Sequence, residues 1–241
     1  MFKKLLKKII LREKADSKSY VSYLRKLGVR IGEDVSIYSP THTEIDVTCP
    51  WLLSIGDHVR ISRGVVILTH DFSWSVLKLL PENPGCVLGA QSPVSIGNNV
   101  FLGMNAIVTR GVTIGDNVVI GAGSVVTKDC ESNWVYAGVP AQKIMPIEDF
   151  YNKRKELQIH EAMAMANCYY NRFGKKPTKE EFHEYFMLFC DVDQAKKVPR
   201  FKAQMEVCGN FEDSCKYMQE HAPVFDGFES FMQACFRNDE S

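Results

Sequence analysis

From Ile31 to Val126 an aliphatic side chain recurs at every sixth residue: Ile31, Ile37, Ile55, Ile61 and Ile67, then Ile96, Leu102, Val108, Ile114, Ile120 and Val126, with Thr43 and Cys49 breaking the rule. Glycine often comes next (Gly32, Gly56, Gly97, Gly103, Gly115, Gly121). Four places after the aliphatic position stand Val59, Val65, Val100, Ala106, Val112, Val118 and Ser124. A period of six is neither 3.6 nor a multiple of it, so no α-helix keeps these residues on one face, and corners such as Gly97-Asn98-Asn99 would break a helix. Short strands stacked as parallel coils do keep them together, each strand turning one aliphatic residue inward to build a continuous ladder. The glycines are expected at corners of positive φ, which a Cβ would obstruct. The pattern predicts a mainly β fold with a parallel β-helix over residues 29–147.

The rhythm fails once. Ile67 and Ile96 are 29 residues apart, which is not a multiple of six, so the coil must open into a loop. Residues 71–92, interrupted by Pro81, Pro84, Gly85 and Gly89, fit that loop. Long loops inside regular scaffolds are usually functional. His70 stands at the root of this one, where a rigid coil would hold a catalytic side chain in place.

Both flanks read as helix. Residues 1–28 carry Phe2, Leu5, Leu6, Ile9 and Ile10 at helical spacing among lysines, then Tyr20, Tyr23, Leu24 and Leu27 before Gly28 stops the pattern. Residues 1–26 hold nine Lys/Arg against Glu13 and Asp16, so this basic amphipathic segment is suited either to packing on the body or a neighbouring subunit, or to peripheral contact with a membrane surface. Residues 148–241 form a helical domain, with a Thr178-x-x-Glu181 capping box ahead of Phe182, Tyr185, Phe186 and Phe189. Zero net charge argues against nucleic-acid binding, which depends on phosphate neutralisation by Lys and Arg. Eight scattered cysteines with no paired spacing read as free thiols of a cytoplasmic protein, with no metal site.

Three blocks add a resemblance: residues 67–71 (ILTHD), 93–122 (PVSIGNNVFLG…GVTIGDNVVIGA) and 123–144 (GSVVTKD…VYAGVPAQKI). They resemble the hexapeptide-repeat acyltransferases, in the branch of maltose, galactoside and capsular-polysaccharide O-acetyltransferases. The resemblance implies a left-handed β-helix, a homotrimer with shared active sites, acetyl-CoA as acyl donor and a saccharide hydroxyl as acceptor. It also implies direct transfer with His70 as general base. Histidine suits that role chemically, since its unperturbed pKa is about 6.5. Asp46, 24 residues earlier, either orients the imidazole, binds an acceptor hydroxyl, or is a plain turn residue.

By the same resemblance the coenzyme A groove runs past Gly103, Met104, Gly121 and Ala122 toward Thr127 and Lys128, with Lys128 facing the phosphates. Gln142 stands where relatives often have arginine, and Lys143 beside it is the substitute. On the acceptor side, Trp74 either stacks on a sugar or anchors the loop, Phe101 occupies a position where relatives often have tryptophan, and Lys78 and Glu82 are further candidates for choosing the acceptor. N-acetylation of an amino sugar and a non-catalytic β-helix assembly protein are the alternative readings.

Overall fold

The computed structural model describes residues 10–237, so Phe2, Leu5, Leu6 and Ile9 of the expected N-terminal helix lie outside it. The chain divides between Phe150 and Tyr151 into two compact units.

In the first unit, strands of two to five residues follow one another around three sheets. One sheet stacks β1 (Arg30–Ile31), β4 (Leu53–Ile55), β7 (Val94–Ile96) and β10 (Thr113–Ile114). The second stacks β2 (Ser36–Ile37), β5 (Arg60–Ile61), β8 (Val100–Leu102), β11 (Val118–Ile120) and β13 (Trp134–Ala137). The third stacks β3 (Glu44–Ile45), β6 (Val66–Ile67), β9 (Ile107–Val108) and β12 (Val125–Val126). All of these neighbours are parallel, and as far as β12 every third strand returns to the same sheet, with β13 then stacking on β11, which is the connectivity of a parallel β-helix. The ladder aliphatics fill one core from Ile31 to Val126. Each buried Ile, Leu or Val there contributes about 1.5–3 kcal/mol.

Two details of the sequence pattern are corrected by the register. Thr43 and Cys49 are not ladder positions. Ile45 is the inward residue of that strand, because 3-10 turns at Pro40–His42 and Pro50–Leu52 lengthen the coil on either side of it. The ladder runs Ile31, Ile37, Ile45, Ile55, so steps of eight and ten residues replace three steps of six and the apparent period survives. The glycines that follow the ladder residues also serve a different purpose. Positive φ at the corners between the first and second sheets falls to Asp34, His58, Asn99, Asn117 and Asn133. Gly32, Gly56, Gly97 and Gly115 are needed instead because a Cβ would lie 2.2–2.5 Å from a polar side-chain atom of the next coil. Those atoms receive backbone N–H groups: Asn98 Oδ1 accepts from Asp57, Asp116 Oδ1 from Asn98, and Ser132 Oγ from Asp116.

Both ends of the stack are covered. Helix α1 (Ser17–Leu27) buries Tyr20, Val21 and Leu24 in the same core, ends at Gly28 with φ 109°, and lends the Ser17 hydroxyl to the backbone N–H of Ile37. At the other end β14 (Gln142–Pro146) pairs antiparallel with β13. Among the described residues no helix is long and apolar enough to cross a membrane.

The second unit is helical and has its own aromatic core, in which Phe182 meets Phe231 edge-on at 5.0 Å and Phe186 stacks on Phe201 at 4.9 Å. Thr178 N–H donates to Glu181 Oε2 at 2.8 Å, but the segment that follows forms 3-10 turns, Lys179–Phe182 and Phe186–Leu188, rather than one helix.

The glycine argument is testable. Gly97→Ala places a methyl against backbone atoms of Gly115 and should cost about 1–3 kcal/mol, whereas Gly89→Ala meets nothing within 4 Å and should be neutral. Urea unfolding midpoints of the two variants check this, and equal midpoints would refute the close-approach explanation.

Candidate active site

The third sheet aligns the site. Ile45 pairs with Ile67, so the residue leaving β3, Asp46, sits beside the residues leaving β6, and Asp46 N–H donates to the Ile67 carbonyl at 2.9 Å. The Asp46 side chain, in a residue only 7% exposed, is surrounded by donors. Its Oδ1 accepts from Thr48 N–H at 2.9 Å. Its Oδ2 accepts from Thr69 N–H at 3.0 Å and from the Thr69 hydroxyl at 2.6 Å, and lies 2.5 Å from His70 Nδ1.

Burial alone would raise the Asp46 carboxyl. The Thr69 hydroxyl, the Thr48 N–H, His70 and the Thr69 N–H outweigh it and hold the group well below the usual carboxylate range. Asp46 is therefore an anion that only accepts hydrogen bonds, so the hydrogen between the two groups belongs to Nδ1. In that tautomer the ring's lone pair is on Nε2. The His70 side chain is 36% exposed.

Just beyond His70 the loop is pinned at its neck. His70 bridges antiparallel to Gln91, Asp71 N–H donates to the Ala90 carbonyl at 3.0 Å, and Ser92 N–H donates to the Thr69 carbonyl at 2.9 Å. The Asp71 carboxylate takes the Ser73 hydroxyl and Arg110 Nε, each at 2.5 Å, and these contacts, Ser73 first, bring it down to about 2. Within the loop, helix α2 (Trp74–Leu77) begins with a half-buried Trp74 packed edge-on against Phe72, with ring centroids 4.7 Å apart.

The residues expected to hold coenzyme A fall into three groups. Gly103, Met104, Gly121 and Ala122 share the corner entering the third sheet, where Gly123 N–H donates to the Met104 carbonyl at 2.7 Å and a Cβ on Gly103 would meet Ala122 N at 2.6 Å. Thr127 and Lys128 are exposed at the corner leaving that sheet; by register Lys128 follows Thr69 and Arg110 in the stack that begins with Val47. Lys143 lies on β14, where its Nζ is 2.8 Å from Glu131 and 4.5 Å from the Trp134 ring, so it is already engaged. Phe101 is on the outer face of the second sheet, in register with Arg60 and Val119 and 40% exposed.

The other histidines of this unit have local partners: His42 with Ser39 and Thr41, and His58 with Asp34 at 2.9 Å. Among the described residues no three His, Cys, Asp or Glu side chains converge as a metal site would require. Sequence reasoning missed Thr48, Thr69, Asp71 and Arg110. Thr69 becomes visible once the ladder is read through Ile45, because the shifted frame sets Asp46 beside it.

Residues 93–128 match the family model described as "Hexapeptide repeat of succinyl-transferase". The chain is 43% identical to Protein CapG of Staphylococcus aureus over 152 residues, which are 63% of this chain and 82% of that protein. It is 31% identical to a maltose O-acetyltransferase from Clostridium difficile 630, over 54% of this chain and 75% of that one, with a TM-score of 0.38. A galactoside acetyltransferase solved in complex with coenzyme A is 28% identical over 64% of this chain and 83% of its own, with a TM-score of 0.41.

The depressed Asp46 carboxyl links the site to stability. A group whose folded pKa lies below its unfolded value adds stability above about pH 4, and that contribution drains away as pH falls toward the folded value. Asp46→Asn removes it, so the stability gap between native protein and variant should be full at pH 7 and narrow steadily below pH ~4. Denaturant unfolding at a series of pH values measures the gap, and a constant gap would contradict the assigned ionisation.

Proposed function

We propose a function from one premise: the chain belongs to the hexapeptide-repeat acetyltransferase family, since residues 93–128 match the hexapeptide-repeat model and the chain is 36% identical to the "Putative acetyltransferase SH0499" of Staphylococcus haemolyticus (strain JCSC1435) over 48% of this chain and 67% of that protein. It is an acetyltransferase. Our reading is that it moves an acetyl group from acetyl-CoA to a hydroxyl of a saccharide, within a left-handed β-helix that works as a homotrimer. The observation that carries this reading is the 2.5 Å contact between ionised Asp46 and His70 Nδ1 at the root of the long interruption in the coil.

The chemistry follows from the ring's orientation. Nε2 accepts the proton of the acceptor hydroxyl as that oxygen bonds to the thioester carbonyl carbon. The tetrahedral adduct then collapses, the C–S bond breaks, and the imidazolium returns its proton to the departing thiolate. Asp46 stabilises the imidazolium between these events and keeps the ring in the tautomer that can act as a base. No acyl-enzyme is required, because the β-helix corner aligns both substrates for direct transfer.

The donor fits residues present in the chain. Gly103 and Gly121 let the coils stack closely at a corner where Met104 and Ala122 are exposed to a pantetheine arm, and Lys128, with no charged partner among the described residues, suits the phosphates. Lys143 is the weaker phosphate candidate because Glu131 already neutralises it. On the acceptor side we place loop 71–92, with Trp74 and the outward-facing Phe101 offering apolar faces to a sugar. The name of the maltose O-acetyltransferase relative supports a saccharide acceptor. Residues 29–147 act as the catalytic domain, and 148–241 form a helical appendage.

Two measurements test the reading. His70→Ala should lower kcat by about 10²–10⁴-fold with an unchanged unfolding midpoint, and a near-normal rate would sink the assignment. Direct transfer also requires a sequential rate law. Initial-rate patterns with both substrates varied should intersect, and a trapped acetyl group on Cys49 or Cys86 would instead show a two-step route.

A further inference from the structure

We infer that Thr69 is a positioning residue of this reaction: its hydroxyl locks the Asp46 carboxylate so that Oδ2 faces His70 Nδ1. The inference rests on the reading of His70 as general base, but its geometric content stands apart from that reading.

Thr69 is fully buried, so its hydroxyl needs a partner inside the protein. Its Oγ1 donates to Asp46 Oδ2 at 2.6 Å, and its own N–H donates to the same oxygen at 3.0 Å. One residue thus fixes that oxygen from two directions, while Thr48 N–H fixes the other. The carboxylate has no freedom to turn, and His70 is the remaining approach to Oδ2. Thr69 is fixed in turn by the loop, since its carbonyl accepts Ser92 N–H at 2.9 Å where the two ends of residues 71–92 come together. Closing the loop neck and orienting the carboxylate are therefore tasks of a single residue.

A threonine placed only to fill space would serve as well as valine, which has nearly the same shape. A positioning threonine would not, because valine cannot donate. In Thr69→Val the carboxylate loses its shortest hydroxyl donor and can rotate, so the His70 ring should no longer be held as the Nδ1–H tautomer.

The test compares Thr69→Val and Thr69→Ser with the native protein. Nitrogen-15 NMR of the imidazole should show the neutral His70 ring as the Nδ1–H form in the native protein and in Thr69→Ser, and as a mixture of tautomers in Thr69→Val. The valine variant should also lose roughly 10- to 100-fold in kcat, with KM for acetyl-CoA unchanged and most of the loss recovered by serine. An unaltered ring tautomer together with kcat within about twofold in Thr69→Val overturns the inference. If that variant does not fold, the native protein decides. A hydrogen-bonded Thr69 hydroxyl should give a slowly exchanging proton signal, and its absence counts against the lock. Should His70→Ala prove active, the functional reading fails, while the tautomer measurement still tests what Thr69 does.

Discussion

The constraint on which the rest of the first unit depends is how closely one coil approaches the next. At the corners between the first and second sheets, backbone N–H groups reach across to side-chain oxygens of the following coil, and the glycines leave room for those oxygens. Because each such bond joins a particular residue to a particular residue, the stack cannot slip by one position without losing all of them. The aliphatic ladder supplies most of the stabilising free energy but would tolerate slippage, since Ile, Val and Leu interchange along it. Polar corners set the register and apolar strands reward it.

That register produces the chemistry. Asp46 and His70 are far apart along the chain, and they meet because Ile45 lies on Ile67. A carboxylate in so covered a position would ordinarily be costly to keep charged. Here two backbone N–H groups, a hydroxyl and an imidazole share it, so the charge is retained without a Lys or Arg partner among the described residues. An anion held in this way polarises the ring beside it and engages only its Nδ1 side.

The repeat made the architecture legible because inward-facing aliphatics obey a rule that does not depend on context. The interruption made His70 legible for the same reason: a break stands out only against a regular background. The pairing of Asp46 was harder to see. Counting in sixes places Thr43 and Cys49 on the ladder, and only the turns begun by Pro40 and Pro50, which lengthen two steps without disturbing the frame at Ile55, show that Ile45 is the inward residue. Thr69 and Arg110 escaped notice because their roles are relations between coils, and a period describes only the order within one. In the helical unit, hydrophobic spacing identified the aromatic core but not its local geometry. The segment after Thr178 has the composition of a helix start, yet its phenylalanines pack on one another through tight 3-10 turns.

The covers at the two ends of the β-helix have a consequence of their own. A stack of parallel coils is an open-ended object, and either bare end would be a ready template for another chain's strands. At one end the Ser17 hydroxyl occupies the N–H that Ile37 would offer to a further coil, and α1 lies over the apolar ladder. At the other, β14 runs against the direction of its neighbours, so a parallel strand arriving there would meet the wrong hydrogen-bonding pattern. The repeat is thereby terminated at both ends, and neither end offers a parallel edge on which a further coil could continue the stack.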